Sequence, residues 1–218
     1  MLERLVYHIW NVRSKMSSEG AEVSGKPQFD EIAVIGAAVS VFWHRGYAAT
    51  SISELTEATG LSRSSLYHRF TDKDGLFREA LQAYTARVLR RMNAAQAGAA
   101  RLRLHTLLSG FLPDLSAPRP AGCLIARSIT EMSELSAAGQ AVALASAERQ
   151  REVFAKILRD GVERAELATD ADIDALAWHF LGVLQAILNF PQIGADEGML
   201  NLMIDLGMSA WPLTGTGR

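Results

Sequence analysis

The chain has 218 residues, 49% of them hydrophobic and 21% charged, with 22 Lys+Arg against 24 Asp+Glu and a single Cys. That is enough apolar material for a sizeable core in one large or two small domains, and it excludes a mostly disordered chain, an intramolecular disulfide scaffold and a Cys-rich zinc site. The longest apolar run, 12 residues at 32–43, falls short of the ~20 that a membrane helix needs, and Glu3, Arg4, Tyr7 and His8 interrupt any secretory leader, so a soluble cytoplasmic protein is expected.

In chain order, residues 1–28 show apolar spacing at Leu2, Leu5, Val6, Ile9 and Trp10, then a Ser-, Gly- and Glu-rich stretch. They read as a flexible arm. From Phe29 onward the apolar spacing is helical almost throughout. Ile32, Ile35, Val39, Phe42 and Trp43 mark one face of a first helix that closes at Gly46. Short helices are expected at 52–59 and 63–69. A long one follows at 73–95, with Leu76, Phe77, Leu81, Tyr84, Val88 and Met92 as its buried stripe. Further helices are expected at about 101–115, 123–134, 138–166, 170–190 and 196–211, with a break from Pro113 to Pro120. No run alternates at period two, so the expected fold is all-α. Charge divides the chain as well: residues 26–103 hold 11 Lys+Arg against 7 Asp+Glu, and 104–218 hold 8 against 14. A cationic first part joined to an anionic remainder suits contact with a polyanion through the first part only.

The sharpest local signal lies between 42 and 77. Ser51 with Glu54 three residues on is a capping box opening a helix barely two turns long, whose buried stripe is read as Ile52, Leu55 and Ala58. Thr59-Gly60-Leu61-Ser62 is a tight turn in which Gly60 permits the reversal, Leu61 plugs the corner and Ser62 caps the next helix. There Leu66 and Phe70 face inward at i, i+4. Two short helices joined by such a turn make a helix-turn-helix. The outer face of the second presents Arg63, Ser64, Ser65, Tyr67 and His68 with no acidic residue, so it can enter a major groove without repelling phosphate. Asp72 and Asp74 suit capping of the following helix, where Lys73 is available for a backbone phosphate. The competing reading is a three-helix packing unit.

This string resembles the DNA-binding domain of the tetracycline-repressor (TetR) family of bacterial regulators. The resemblance rests on Phe29-Asp30, Phe42-Trp43, Gly46-Tyr47, the 49–52 and 58–62 segments, Ser65-Leu66-Tyr67, Phe70, Lys73 and Leu76-Phe77, about 50 of the 218 residues. It implies Thr50, Ser51, Tyr67 and Lys73 as phosphate contacts, with Arg63, Ser64 and His68 nearer the bases; Arg69 receives no role. It also implies an N-terminal helix-turn-helix domain at 29–77 and a larger helical domain at 78–218 that dimerises and encloses an effector pocket. The local residues support the second part in their own way. The 170–190 segment is apolar nearly all round, Gly182 and Ala186 offer a strip for close helix approach, and 196–211 is also too apolar for an ordinary surface helix. A homodimer through about 170–211 is therefore expected, with burial in the protomer core as the alternative.

Phe111, Met132, Phe154, Trp178 and His179 are candidates to line an apolar effector site. Cys123 follows a Gly at an expected helix start, where the dipole favours negative charge, and a Gly-Cys-Leu here resembles a TetR subgroup with thiol-based sensors; a plain buried side chain is the alternative. Arg87, Arg90, Arg91, Arg101 and Arg103 read as a solvated face. His105 and His179 lack neighbours at metal-ligand spacing, so no metal or cofactor is expected. No phosphate-binding loop or catalytic motif is present, since Thr214-Gly215-Thr216-Gly217 lacks the Lys and the helix. The expected function is that of an operator-binding transcriptional regulator released by a small molecule, with a protein-binding helical adaptor as the rival.

Overall fold

The structure, a computed structural model, describes residues 29–94, 97–115 and 122–212. The arm expected at 1–28, Pro118 to Pro120 and the 214–217 segment lie outside the described residues. Among these there are nine α-helices and no strand: α1 (Glu31–Arg45), α2 (Ile52–Thr59), α3 (Arg63–Phe70), α4 (Lys73–Met92), α5 (Ala100–Ser109), α6 (Leu124–Thr130), α7 (Ala137–Glu163), α8 (Ile173–Asn189) and α9 (Glu197–Met208). The fold is all-α, a helix-turn-helix region followed by a larger helical bundle.

Local chemistry sets most helix starts. The side chains of Asp30, Ser51, Ser62, Asp72, Ser136, Asp172 and Asp196 each accept from a free first-turn N–H of the helix that follows. Helix α5 has no such residue at Ala99, and Glu166 from the loop after α7 accepts from Ala100 N at 2.5 Å instead.

One apolar core runs from Val34 in α1 to Trp211 after α9. Helix α4 belongs to both parts: its stripe from Leu76 to Met92 is buried, and it packs on α1 and on α7. The boundary expected after residue 77 therefore falls inside a continuous helix. Two faces were read wrongly from spacing. Ile32 is 73% exposed and the inner face of α1 is Val34, Ala38, Val39 and Phe42. Ala58 is exposed, leaving Leu55 as the buried residue of α2. In both cases the residue lies in the terminal turn of its helix, past the edge of the core.

Helices α8 and α9 pack on each other through Gly207. A Cβ there would come within 2.8 Å of the Val183 side chain, so glycine sets the close approach. Gly182, expected on a strip open to close approach by another helix, has nothing within 4 Å of its missing Cβ inside the protomer. The 21-residue stretch Ile173–Ile193 holds an 18-residue window with a mean hydropathy of 1.4, long and apolar enough by composition to cross a membrane, although 28% of that window is buried inside the protomer. The run-length test missed it because His179, Gln185 and Asn189 interrupt the run without much lowering its average. The arginines read as a solvated face also divide. Arg103 is buried and paired with Asp160 at 2.8 Å, while Arg87 covers the rings of Trp43 and Tyr84 and Arg91 that of Phe111.

Candidate nucleic-acid interface

The reading helix is held from beneath. Leu55, Leu61, Leu66 and Phe70 are buried and seat α2 and α3 against α1 and α4. The turn between them closes because Gly60 adopts a left-handed φ of 70°, and because Thr59 Oγ1 donates to Leu55 O at 2.6 Å and accepts from Leu61 N at 3.3 Å. Ser62 Oγ accepts from Ser65 N at 3.0 Å and shares hydrogen bonds of 2.9 Å with the hydroxyls of Ser64 and Ser65.

What this leaves outside is a compact polar face. Ser62, Arg63, Ser64, Tyr67 and His68 are exposed and Ser65 is half-buried, with no carboxylate among them. Arg69 turns away: its guanidinium donates to both Glu79 oxygens at 2.9 and 3.1 Å and to Glu31, and lies 4.7 Å over the Phe70 ring. These carboxylates raise its pKa further above the ordinary guanidinium value. Arg69 thus ties the end of α3 to α1 and α4. Sequence reasoning left it without a role because the partners lie 38 and 10 positions away.

Two of the expected phosphate contacts also serve the fold. Thr50 is 3% exposed and its hydroxyl donates to Gly46 O at 2.5 Å. Lys73 Nζ donates to Tyr47 O at 3.0 Å and Thr50 O at 3.1 Å and sits 4.2 Å over the Tyr47 ring. Both side chains help to close the turn between α1 and α2; the one hydroxyl proton of Thr50 is committed there, while half-buried Lys73 keeps the third of its N–H donors. Ser51 stays exposed, capping α2 and donating to Glu54 at 2.9 Å. The Glu54 carboxylate accepts from Ser51 N at 2.8 Å and pairs with Arg45 at 2.8 Å, which masks its charge beside a polyanion.

A clamp from the bundle reaches this region and no sequence pattern announced it. Arg127, on α6, donates to the last carbonyls of α1: Trp43 O at 3.3 Å, His44 O at 3.2 Å and Arg45 O at 3.3 Å. Glu131 accepts from Tyr47 N at 2.6 Å and Ala48 N at 3.4 Å, and Trp43 Nε1 donates to Gly122 O at 3.1 Å. Gly46, at φ 82°, is where this clamp closes; a Cβ would collide with the Glu131 carboxylate. The available signal was Gly46 itself, explained in the sequence as a helix end alone.

The candidate effector residues divide between core and surface. Phe111, Cys123 and Phe154 are buried, Met132 is half-buried, and Trp178 and His179 face outward from α8. His179 instead meets Gly207 O at 3.0 Å and Trp178 lies beneath Arg151. Cys123 is the N-cap of α6, under the Tyr84 hydroxyl, whose pKa burial raises well above the ordinary phenol value. A shallow groove of about 230 Å³ on the α4–α7 seam is lined by other residues, among them Leu89, Arg149, Val153 and Lys156.

Comparison with known proteins adds the following. The profile of bacterial regulatory proteins, tetR family, matches residues 34–80, and that of the tetracyclin repressor-like C-terminal domain matches residues 98–204. The chain is 28% identical over 194 residues to the HTH-type transcriptional repressor ComR of Escherichia coli K12, covering 86% of this chain and 92% of ComR. It is 30% identical over 152 residues to the transcriptional regulator AcuR of Cereibacter sphaeroides, covering 67% and 69%. Among solved structures, a cysteine-substituted form of the TetR family transcriptional regulator CifR, complexed with a 26-bp operator duplex, superposes with a TM-score of 0.75 at 29% identity, over 86% of this chain and all of that one.

Proposed function

Because the chain belongs to the tetR family of bacterial regulatory proteins and is a helix-turn-helix transcriptional regulator rather than an enzyme, we propose that it is a cytoplasmic repressor that binds a near-palindromic operator as a homodimer and that a small molecule releases it. The observation that carries the reading is the exposed, acid-free face of α3, Arg63, Ser64, Tyr67 and His68, held by a buried base. Ser62 flanks it as a phosphate donor with Ser65 beside it, and Ser51 joins them when its hydroxyl turns from Glu54 to a phosphate. Arg63 and His68 read base edges.

Homodimer formation is supported by the outer face of α8 and α9, where Trp178, Met199, Leu202 and Leu206 are each about half exposed or more. A two-fold pair of such faces places two α3 helices in successive major grooves about 34–36 Å apart. Release is supported by continuity: α4 begins at the reading helices and ends in the bundle, and α6 grips the end of α1 through Arg127 and Glu131. An effector that favours a conformer with α4 or α6 displaced changes the spacing of the two heads. A difference in affinity of a few kcal/mol between conformers is sufficient.

Titrating duplex DNA against salt tests this. Binding lost steeply as salt rises, with the slope reduced by about one unit in Arg63→Ala, supports the assignment. Binding too weak to survive physiological salt, and unchanged by Arg63→Ala, is the outcome expected of a protein-binding adaptor.

A further inference from the structure

Helices α4 and α7 run side by side in the same direction and are pinned at two points along their seam. Ser136 donates to Asp74 at 2.8 Å at one end, and the Thr85 and Ser146 hydroxyls lie 3.0 Å apart near the middle. Helix α4 stops at Met92, whereas α7 continues to Glu163. Where α4 ends, the flank of α7 loses its neighbour, and there the groove of about 230 Å³ opens, lined by Leu89, Asn93, Arg149, Glu152, Val153 and Lys156. Leu89 and Val153 are half-buried at the edge of the core and give it an apolar floor. The charges around it are unevenly matched. Arg149 and Lys156 stand two turns apart on one face of α7, about 10 Å at 1.5 Å per residue, and both are exposed with no ion pair among the described residues. Arg90, exposed beside Leu89, has none either. The carboxylate in the lining, Glu152, is held by Arg159, and Glu148 nearby is held by Arg151. Arg91 turns to Gly110 O and the Phe111 ring, and Arg87 to the Trp43 and Tyr84 rings. Asn93 donates from its backbone and its side chain to Leu89 O, which blunts the negative end of α4.

We propose that this groove is a binding site for a small amphiphilic monocarboxylate, whose hydrocarbon part lies on Leu89 and Val153 and whose carboxylate lies between Arg149 and Lys156. The apolar body follows from the floor and the negative charge from the rim, where two cations lack a partner and the one carboxylate is already neutralised. A neutral or cationic amphiphile meets the same floor and leaves the rim unmatched. At about 230 Å³ the groove is smaller than the ~300–1,000 Å³ pockets of drug-sized ligands, so the ligand is small. Duplex DNA is not the anion in question: Leu89 stands about 24 Å along α4 from Lys73 at 1.5 Å per residue, and a phosphate backbone has no use for an apolar floor. The groove is open to solvent in the conformation described, so its ligand enters without parting any helices. It is therefore separate from an effector enclosed within the bundle. Touching α4 at Leu89 and α7 at Val153, the ligand bridges the seam from outside.

The test is calorimetric titration of the full chain, without DNA, using octanoate as the probe. Acetate supplies the charge with almost no chain, and 1-octanol the chain with no charge. Octanoate should bind with a Kd of about 1 mM or tighter and more weakly as salt rises, while acetate and 1-octanol at about 1 mM give no saturable signal. A double variant, Arg149→Gln with Lys156→Gln, changes two exposed side chains without ion pairs, so its melting temperature should match that of the wild type while its octanoate affinity falls about fivefold or more. Glu152→Gln should do the reverse and tighten octanoate binding about twofold, a gain that damage to the fold does not produce. Octanoate binding of equal strength in the wild type and the double variant would place the ligand elsewhere and overturn the proposal. Acetate or 1-octanol binding as well as octanoate would also overturn it, as would a Glu152→Gln form that binds no more tightly than the wild type, or the absence of any octanoate binding.

Discussion

Arg63 and Arg69 stand six positions apart on an eight-residue helix and have opposite tasks. Arg63 is exposed at the start of α3 with no ion pair described, and is free for a base edge or a phosphate. Arg69 is held between Glu31 and Glu79 and fixes where α3 points. Substituting Arg63 or His68 by Ala should relax preference at one base-pair position by about 1–3 kcal/mol. Arg69→Met should leave the salt slope as it is and lower stability by about 1 kcal/mol, the scale of half-exposed ion pairs, as read by thermal melting. Lys73→Met should differ from Arg69→Met. Its ammonium closes the turn after α1, at a cost in stability of about 1–3 kcal/mol for hydrogen bonds from a charged donor, and its carbonyl partners leave its charge unneutralised, so the salt slope should fall as well. The outward face of α3 was legible in the sequence because Leu66 and Phe70 fix its inward face by spacing. The destination of Lys73 was not, because its acceptors are backbone carbonyls 26 and 23 positions away, and no residue type marks a carbonyl as an acceptor.

Elements in this chain are joined by backbone groups that helix ends leave unsatisfied. At α2 the joint is local. Ser51 N–H and then the Ser51 hydroxyl hold the Glu54 carboxyl below its ordinary value. A depressed carboxyl contributes stability above the unfolded-state value, and that stability is lost as pH falls through the lowered one. The melting difference between wild type and Glu54→Gln should therefore be largest near neutrality and shrink towards acid pH; a difference that grows in acid would refute the capping role. At α1 the joint crosses the molecule, where Arg127 and Glu131 take the last carbonyls and the next two amides. In Glu131→Ala the Tyr47 and Ala48 amides should exchange hydrogen faster. Gly46→Ala should be destabilising by at least about 1 kcal/mol through its positive φ and the collision with Glu131. Capping boxes are visible in a sequence because both partners sit within four residues. The α6 clamp was not, because its two halves lie 82 to 84 positions apart.

At the scale of the whole molecule, α4 and one continuous core bind the reading head to the bundle, so the two parts should unfold in a single transition. The outer face of α8 and α9 is the other large-scale feature. Leu206, 62% exposed in the protomer, should become buried in a dimer, and Leu206→Glu should yield monomers by sedimentation and lose operator affinity while each protomer stays folded. All-α architecture and the apolar excess of the last two helices were plain from periodicity. Which of their side chains faced inward was not, because a helix apolar nearly all round has no polar face to orient it. The central claim is that two copies of α3 read a two-fold DNA site, and selection of random duplex DNA by the purified protein tests it most directly. A symmetric consensus with half-sites one helical turn apart, bound with a steep salt dependence, is the expected result. Enrichment of no motif, or of a single half-site only, would contradict it.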